Sequence, residues 1–416
     1  MKKALKIIGI ILGSILLILL LFALINAINE KSLEKYVDSF GAVDMPDQLL
    51  PATDEDGVTY FTTDGEFKIV QLTDVHIGGG IFSRAEDKKA MNAVAAMISA
   101  EKPDLVVVTG DISFPVPYIS GTINNAYAHR LFIRLMENLG VYWTVSFGNH
   151  DSEAYNYHGR QWVGDLYADP SHKYCLMADD GELSGVGNHV INIKNTDGLV
   201  TESLYMIDTH AYTDDDPLGI KWDYDYVKED QIAWYAACVD KYAKENARLI
   251  DAMSSEDAQK FDHLRTPKSL CFFHIPLREV KLAYDEYVAA GRKDTDDVSY
   301  AEGHDGESGK VVYCSETDEL LFETILEKGS TTALFFGHDH LNNLVLEYKG
   351  ITLSYGYSID YLAYSGIDKL GYQRGCTVIT CSPDGEATIV HENYYQDKYP
   401  SQNEKETVNM EKYKDS

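Results

Sequence analysis

Five short polar clusters carry the residues that could do chemistry, and each follows an apolar run. They are Asp74-x-His76 after Phe67–Leu72, Gly110-Asp111 after Leu105–Thr109, and Gly148-Asn149-His150-Asp151 after Val141–Phe147. Then come His274 after Ser269–Phe273 and Gly337-His338-x-His340 after Thr331–Phe336. A lone histidine at a strand end is more often a hydrogen-bonded structural residue, but the ordered set is hard to explain that way. Carboxylates, imidazoles and one amide oxygen are the hard and borderline donors that a pair of divalent cations needs, with one carboxylate shared between them. Alternate residues just past a strand can converge on one ion, which suits Asp74 with His76 and His338 with His340. Glycines at 110, 148 and 337 permit sharp turns and close backbone approach. Such an ion pair would lower the pKa of a bridging water, hold an attacking hydroxide and clamp a phosphoryl oxygen.

For the clusters to meet, their strands must lie side by side. The first three alternate with helical stretches at Ala85–Ala100 and Ala126–Leu139, giving strand, helix, strand, helix, strand. The runs are too apolar for a half-exposed sheet, which argues a sheet covered on both faces. In open α/β sheets, functional groups gather beyond the carboxyl ends of strands, where all three clusters fall. The second half is richer in strand. Runs at His189–Ile193, Ser203–Asp208, Leu344–Tyr348, Ile351–Tyr355, Thr377–Thr380 and Thr388–His391 read as strands, with a hairpin turn at Asp384-Gly385. Helices are expected within Tyr226–Met253 and at Glu319–Glu327. Tyr284–Cys314, rich in acids and glycine, reads as a long loop. Tyrosines 355, 357, 361 and 364 follow a strand near the clusters, where they either line a pocket or form a Tyr-rich surface and rim. Arg374 is a candidate phosphate or structural contact, and His210 ends a strand.

The chain has 416 residues, with 36 Lys+Arg against 66 Asp+Glu, a formal charge of −30. That surface repels nucleic acid, and no basic stripe offsets it, so a nucleic-acid partner is not expected. An anionic substrate needs local positive charge, which bound cations supply. Cysteines stand at 175, 238, 271, 314, 376 and 381 without a CxxC pair or a histidine at zinc-finger spacing, which argues against a structural zinc module. Most read as buried thiols, with Cys376 and Cys381 the pair to test first for a disulfide.

Residues 7–25 are apolar throughout and long enough to cross a bilayer, and Lys2, Lys3 and Lys6 precede them. The positive-inside rule keeps those lysines cytoplasmic and sends the remaining chain outward. The run is longer than a cleaved signal's apolar core and lacks a clear small-x-small site. The expected organisation is a stub at 1–6, a single-pass signal anchor at 7–27 and a tether at 28–62. A catalytic domain at 63–396 and a polar tail at 397–416 follow. Secretion after signal cleavage is the alternative.

The order DxH, GD, GNHD, H, GHxH resembles the calcineurin-like metallophosphoesterase superfamily over about residues 64–394. Phe272–Pro276, Gly148–Glu153 and Gly337–His340 are similar to its purple-acid-phosphatase-29/Dcr2-like branch. The resemblance implies an α/β/β/α fold, a two-sheet β-sandwich flanked by helices, with the second-half strands supplying the second sheet. It implies that Asp74, His76 and His340 hold one metal, that Asn149, His274 and His338 hold another, and that Asp111 bridges them. It places His150 beside the substrate and Asp151 as the residue orienting that loop; a turn-capping Asp is the plain alternative. Phe114 stands where the purple enzymes carry a metal-binding Tyr, so their tyrosinate colour is not expected. Manganese, iron or zinc, as a divalent or mixed-valence pair, all remain open. The expected substrate is a phosphoester, small or displayed on a surface, with a monoester slightly favoured over a diester. A cell-surface protein that holds metals to bind a ligand without catalysis is the reading from another class.

Overall fold

The computed structural model describes residues 2–179, 181–213, 223–309, 311–318, 320–364, 366–370 and 374–408. Met1 of the expected stub, Glu319 of an expected helix, and positions 409–416 of the expected tail lie outside the described residues. The strands in chain order are β1 (Ala52–Thr53), β2 (Thr59–Thr62), β3 (Phe67–Leu72), β4 (Leu105–Thr109), β5 (Trp143–Ser146), β6 (His189–Lys194) and β7 (Val200–Met206). They continue with β8 (Lys268–Phe272), β9 (Val298–Glu302), β10 (Thr331–Phe336), β11 (Val345–Tyr348), β12 (Ile351–Tyr355), β13 (Gly375–Cys381) and β14 (Ala387–Asn393). Two mixed sheets result. One has five strands in the order β14-β13-β3-β4-β5, and the other nine in the order β1-β2-β6-β7-β8-β10-β12-β11-β9.

The alternation within each strand explains the layers. Val70, Leu72, Val106 and Val108 point to one face of the five-stranded sheet and pack under the helices Arg84–Glu101 and Asn125–Leu139. Ile69, Leu105 and Val107 point the other way and meet Leu204, Leu270, Phe272 and Phe335 of the nine-stranded sheet. That sheet's far face packs under Glu229–Asp251, Arg278–Ala289 and Leu321–Lys328, through Tyr235, Val280 and Phe322 among others. The central strands are buried on both faces, which suits the apolar run of β4, while β7 also buries Thr201, Glu202 and Ser203. The parallel neighbours β3, β4 and β5 end at one edge of their sheet, and β8 and β10 end alongside each other in theirs.

Four expectations need correction. The β-rich C-terminal hairpin joins the first sheet: β13 runs antiparallel to β3, pairing Val378 with Val70. The stretch 28–62 lies against the body. Its helix is the end of one long helix, Lys2–Val37, whose Asn29, Leu33 and Val37 are buried, and β2 pairs with β6 in the second sheet. Polar residues marked it as a tether, but their spacing leaves one helical face to pack. Within Tyr284–Cys314, the helix Arg278–Ala289 ends and β9 forms an edge strand on β11. Tyr399 of the expected solvated tail is buried, donating to Glu101 at 2.6 Å. None of the six cysteines forms a disulfide with another. Cys376 and Cys381 lie five apart on β13, so their side chains fall in different core layers.

Candidate metal centre

The five clusters converge. Asp74, His76, Asp111 and His340 place one ligating atom each within 4.8 Å of one another, and so do Asp111, His274 and His338. Asp111 belongs to both groups. His76 Nε2 stands 3.3 Å and His274 Nε2 3.0 Å from Asp111 Oδ2, while His340 Nε2 stands 3.4 Å from Asp74 Oδ1. These are two Asp/His clusters able to coordinate metal ions, sharing one carboxylate, and they do not single out a metal.

The backbone that brings them together is strained. Asp74, His76, Asp111 and His338 all adopt left-handed φ, between 51° and 76°. Such conformations cost about 1–3 kcal/mol each in side-chain-bearing residues and persist only where surroundings over-determine them. Here the loops grip one another. The Asp74 and His76 amides donate to the Gly110 and Asp111 carbonyls at 3.2 and 3.0 Å. The His338 amide donates to both oxygens of Asp74 at 3.3 Å. The glycines work through close approach: a Cβ on Gly148 would sit 2.1 Å from Asp111 Oδ1, and one on Gly337 would sit 1.9 Å from Thr73 Oγ1.

Burial works to raise the Asp111 carboxyl, yet the neighbouring charges of His274 and His150 take it well below the ordinary range. Burial alone would lower the His274 imidazole, but Asp111 pushes it up to about 9. His338 goes the other way, held well below its usual value by burial and by the neighbouring imidazole of His274. The Asp111 carboxylate thus favours a positive neighbour, a protonated imidazole or a cation in its place.

Asn149 keeps its Nδ2 on Tyr212 Oη at 2.9 Å, which leaves its buried Oδ1 without a hydrogen-bond partner. An amide oxygen orphaned in this way fits a metal ligand. Asp151 holds the turn: its carboxylate accepts from the amides of Asp111, Ser113 and Gly148 at 2.9–3.0 Å. His150 donates its backbone N–H to Asp111 Oδ1 at 2.8 Å, and its Nδ1 sits 2.8 Å from Glu153 Oε1. The His150 side chain is 24% exposed, against 0% for His76 and His274, so it is the imidazole that opens outward. Aromatic rings wall the hollow. Phe114 lies against His76 and His150, Tyr224 against His338 and Tyr364 against His340. Tyr364 therefore lines the site, while Tyr355 is buried and donates to the buried Asp339 at 2.5 Å.

Sequence reasoning missed Asp360. Fully buried, it presents Oδ1 to His76 Nδ1 and Oδ2 to His340 Nδ1, each at 3.2 Å and off the ideal hydrogen-bond line. The amides of Leu362, Ala363 and Tyr364 hold it at 2.7–2.8 Å. Arg160 was also missed; it pairs with the buried Asp208 and caps the Gly148 carbonyl at 2.9 Å. Arg374 is buried and donates to the Ile359 and Asp360 carbonyls, so it supports the Asp360 loop and is no phosphate contact. His210 sits 3.0 Å from Gln231 Oε1, away from both clusters.

A family profile described as calcineurin-like phosphoesterase matches residues 67–342. Among curated proteins, a probable inactive purple acid phosphatase 29 from Arabidopsis thaliana is 26% identical over 79% of this chain and 80% of its own length. A second from the same plant, probable inactive purple acid phosphatase 28, is 26% identical over 73% of each chain. The phosphatase DCR2 of Saccharomyces cerevisiae is 27% identical over 68% of this chain and 46% of its own. Among solved structures, a dimetal phosphatase from Danio rerio superposes with a TM-score of 0.48 at 12% identity, covering 80% of this chain and 98% of that one.

Proposed function

The chain belongs to the calcineurin-like phosphoesterase family and is a metal-dependent hydrolase of phosphoester bonds; we propose that it is a membrane-anchored phosphomonoesterase working outside the cytoplasm. The observation that carries the reading is the meeting of two Asp/His clusters on the single carboxylate of Asp111. Asp74, His76 and His340 would hold one ion, Asn149, His274 and His338 the other, with Asp111 between. When bound, the ions supply Lewis acidity toward a phosphoryl oxygen and a water of lowered pKa.

The protein's own residues do the rest. Asp360 fixes the rings of His76 and His340 from behind, as carboxylates behind ligating histidines do. Glu153 holds His150 by Nδ1, leaving its other nitrogen for the substrate, where it stabilises phosphoryl charge or protonates the departing alcohol oxygen. Asp151 keeps the Gly148–His150 turn and Asp111 in register through three backbone amides. Two of the plant relatives are named as probably inactive. In this chain every position of the implied ligand set carries a competent side chain, which supports catalysis. The helix Lys2–Val37 is long and apolar enough to cross a membrane, and the lysines at its start favour the outward orientation.

The test compares p-nitrophenyl phosphate with bis-p-nitrophenyl phosphate, with added Mn²⁺ and with chelator. Faster metal-dependent turnover of the monoester is expected. Full activity in Asp111→Asn, or metal retention with no hydrolysis across a broad ester panel, would sink the reading.

A further inference from the structure

The N-terminal helix does not hang from the catalytic body by a flexible linker. It runs unbroken from Lys2 to Val37, and its apolar part is exposed along its length. At the end of that apolar part it is bolted to two loops. Asn26 accepts from the Ile81 amide at 3.0 Å and donates to the Gly121 carbonyl at 3.2 Å. Asn29 donates to the Gly80 carbonyl at 2.8 Å, and Phe22 meets Phe82 edge-on with centroids 5.9 Å apart. The loops are also joined to each other, the Phe82 amide donating to Ser120 O at 3.0 Å.

Both loops lead straight to the metal centre. One follows His76 and the other follows Asp111 and Phe114, whose ring lies 4.9 Å from that of His76. Six residues from His76 to Phe82 span at most about 20 Å, and four from Phe114 to Tyr118 at most about 14 Å. At their tips, Phe82 is 59% exposed and Tyr118 is 83% exposed. Phe82 meets Phe22 at the end of the apolar span, and Tyr118 stands three residues before Gly121, which Asn26 holds; open rings at that level suit the interface where amphipathic aromatics sit among headgroups. With a formal charge of −30, the body has no electrostatic pull toward an anionic bilayer, so apolar anchors must provide the contact.

We propose that Phe82 and Tyr118 rest in the membrane interface and that the metal centre acts on a phosphate ester carried by a lipid headgroup of the same bilayer. The proposal rests on the two-ion reading and on the helix crossing a membrane. A rigid mount fixes the height of the site above the headgroups and turns encounter with a membrane-borne ester into a two-dimensional search at high effective concentration. A soluble ester gains nothing from that arrangement.

The experiment reconstitutes the full-length, Mn²⁺-loaded protein in phosphatidylcholine vesicles containing dioleoyl phosphatidic acid. Phosphate release is compared with that from soluble dibutyryl phosphatidic acid, which carries the same headgroup, and from p-nitrophenyl phosphate. The embedded lipid is expected to turn over at least about tenfold faster than its soluble counterpart. Phe82→Ser with Tyr118→Ser should remove about tenfold of the embedded-lipid rate and leave p-nitrophenyl phosphate hydrolysis unchanged. Both side chains are exposed, so folding should be retained. Phe82→Trp should gain quenching by brominated phosphatidylcholine, reporting contact whether or not the rates change. Turnover of p-nitrophenyl phosphate without preference for the embedded lipid, or a double variant with the wild-type lipid rate, overturns this inference alone. No hydrolysis of any of the three esters overturns the two-ion reading, and this inference with it.

Discussion

Replacing Asp360 by Asn isolates the part of the centre that no strand-end motif contains. The wild-type carboxylate offers only acceptors, and it faces two ring nitrogens, His76 Nδ1 and His340 Nδ1, each 3.2 Å away. Both can then carry their proton on Nδ1 and point a bare Nε2 at the hollow, where those atoms stand 3.3 Å from Asp111 and 3.4 Å from Asp74. Asparagine offers one acceptor and one donor. Whichever ring faces the new NH₂ must move its proton to Nε2, and that ring can no longer ligate a cation there. Loss of such an outer partner costs about 10–100-fold in metal affinity, or about 1.4–2.7 kcal/mol. The assay is metal per chain after dialysis against graded chelator, paired with activity against Mn²⁺ concentration. Half-saturation of one ion should move to 10–100-fold higher metal, with activity largely restored at saturation. The melting temperature of the metal-free variant checks the loop, because three amides share the same carboxylate. A folded variant with unchanged metal affinity would refute the reasoning.

Gly337→Ala should destabilise the fold and weaken metal retention. Its Cβ would lie 1.9 Å from Thr73 Oγ1 and 2.6 Å from Asp74 Oδ2, an overpacking of about 1–3 kcal/mol visible in thermal unfolding. His189 sets an acid limit on stability. Burial lowers its pKa to about 4, with Thr144 Oγ1 2.6 Å from Nε2 and the Gly187 carbonyl 2.8 Å from Nδ1. Below about pH 6.5 the unfolded chain binds a proton that the folded chain refuses, so stability falls with pH and the loss levels off near pH 4 at about 3 kcal/mol. Denaturant unfolding at graded pH should show that slope, and His189→Gln should flatten it.

The parts legible in the sequence were those coded locally. Runs rich in β-branched residues, such as Leu105–Thr109, announced buried strands, and polar clusters directly after them marked the edge where strands end. The order of the clusters carried the family resemblance, which supplied seven ligand candidates; six of them, all but Asn149, fall in the two Asp/His groups. What stayed hidden depends on contacts across the chain. Asp360 lies in a loop with no spacing pattern to separate it from a turn-forming Asp, and only the fold puts it behind His76 and His340. The left-handed backbone at Asp74, His76, Asp111 and His338 was not legible because Asp and His tolerate that conformation without requiring it; the interlocking loops impose it. The C-terminal hairpin could satisfy either sheet by composition, and its pairing with β3 is a long-range choice. The segment before β3 reads as polar because only one helical face, with Asn29, Leu33 and Val37, is packed.

Anomalous diffraction from crystals grown with Mn²⁺ tests the central claim most directly. The account predicts two peaks about 3.5–4 Å apart on either side of the Asp111 carboxylate, one among Asp74, His76 and His340 and the other among Asn149, His274 and His338. A single peak, or two that do not share Asp111, would contradict it.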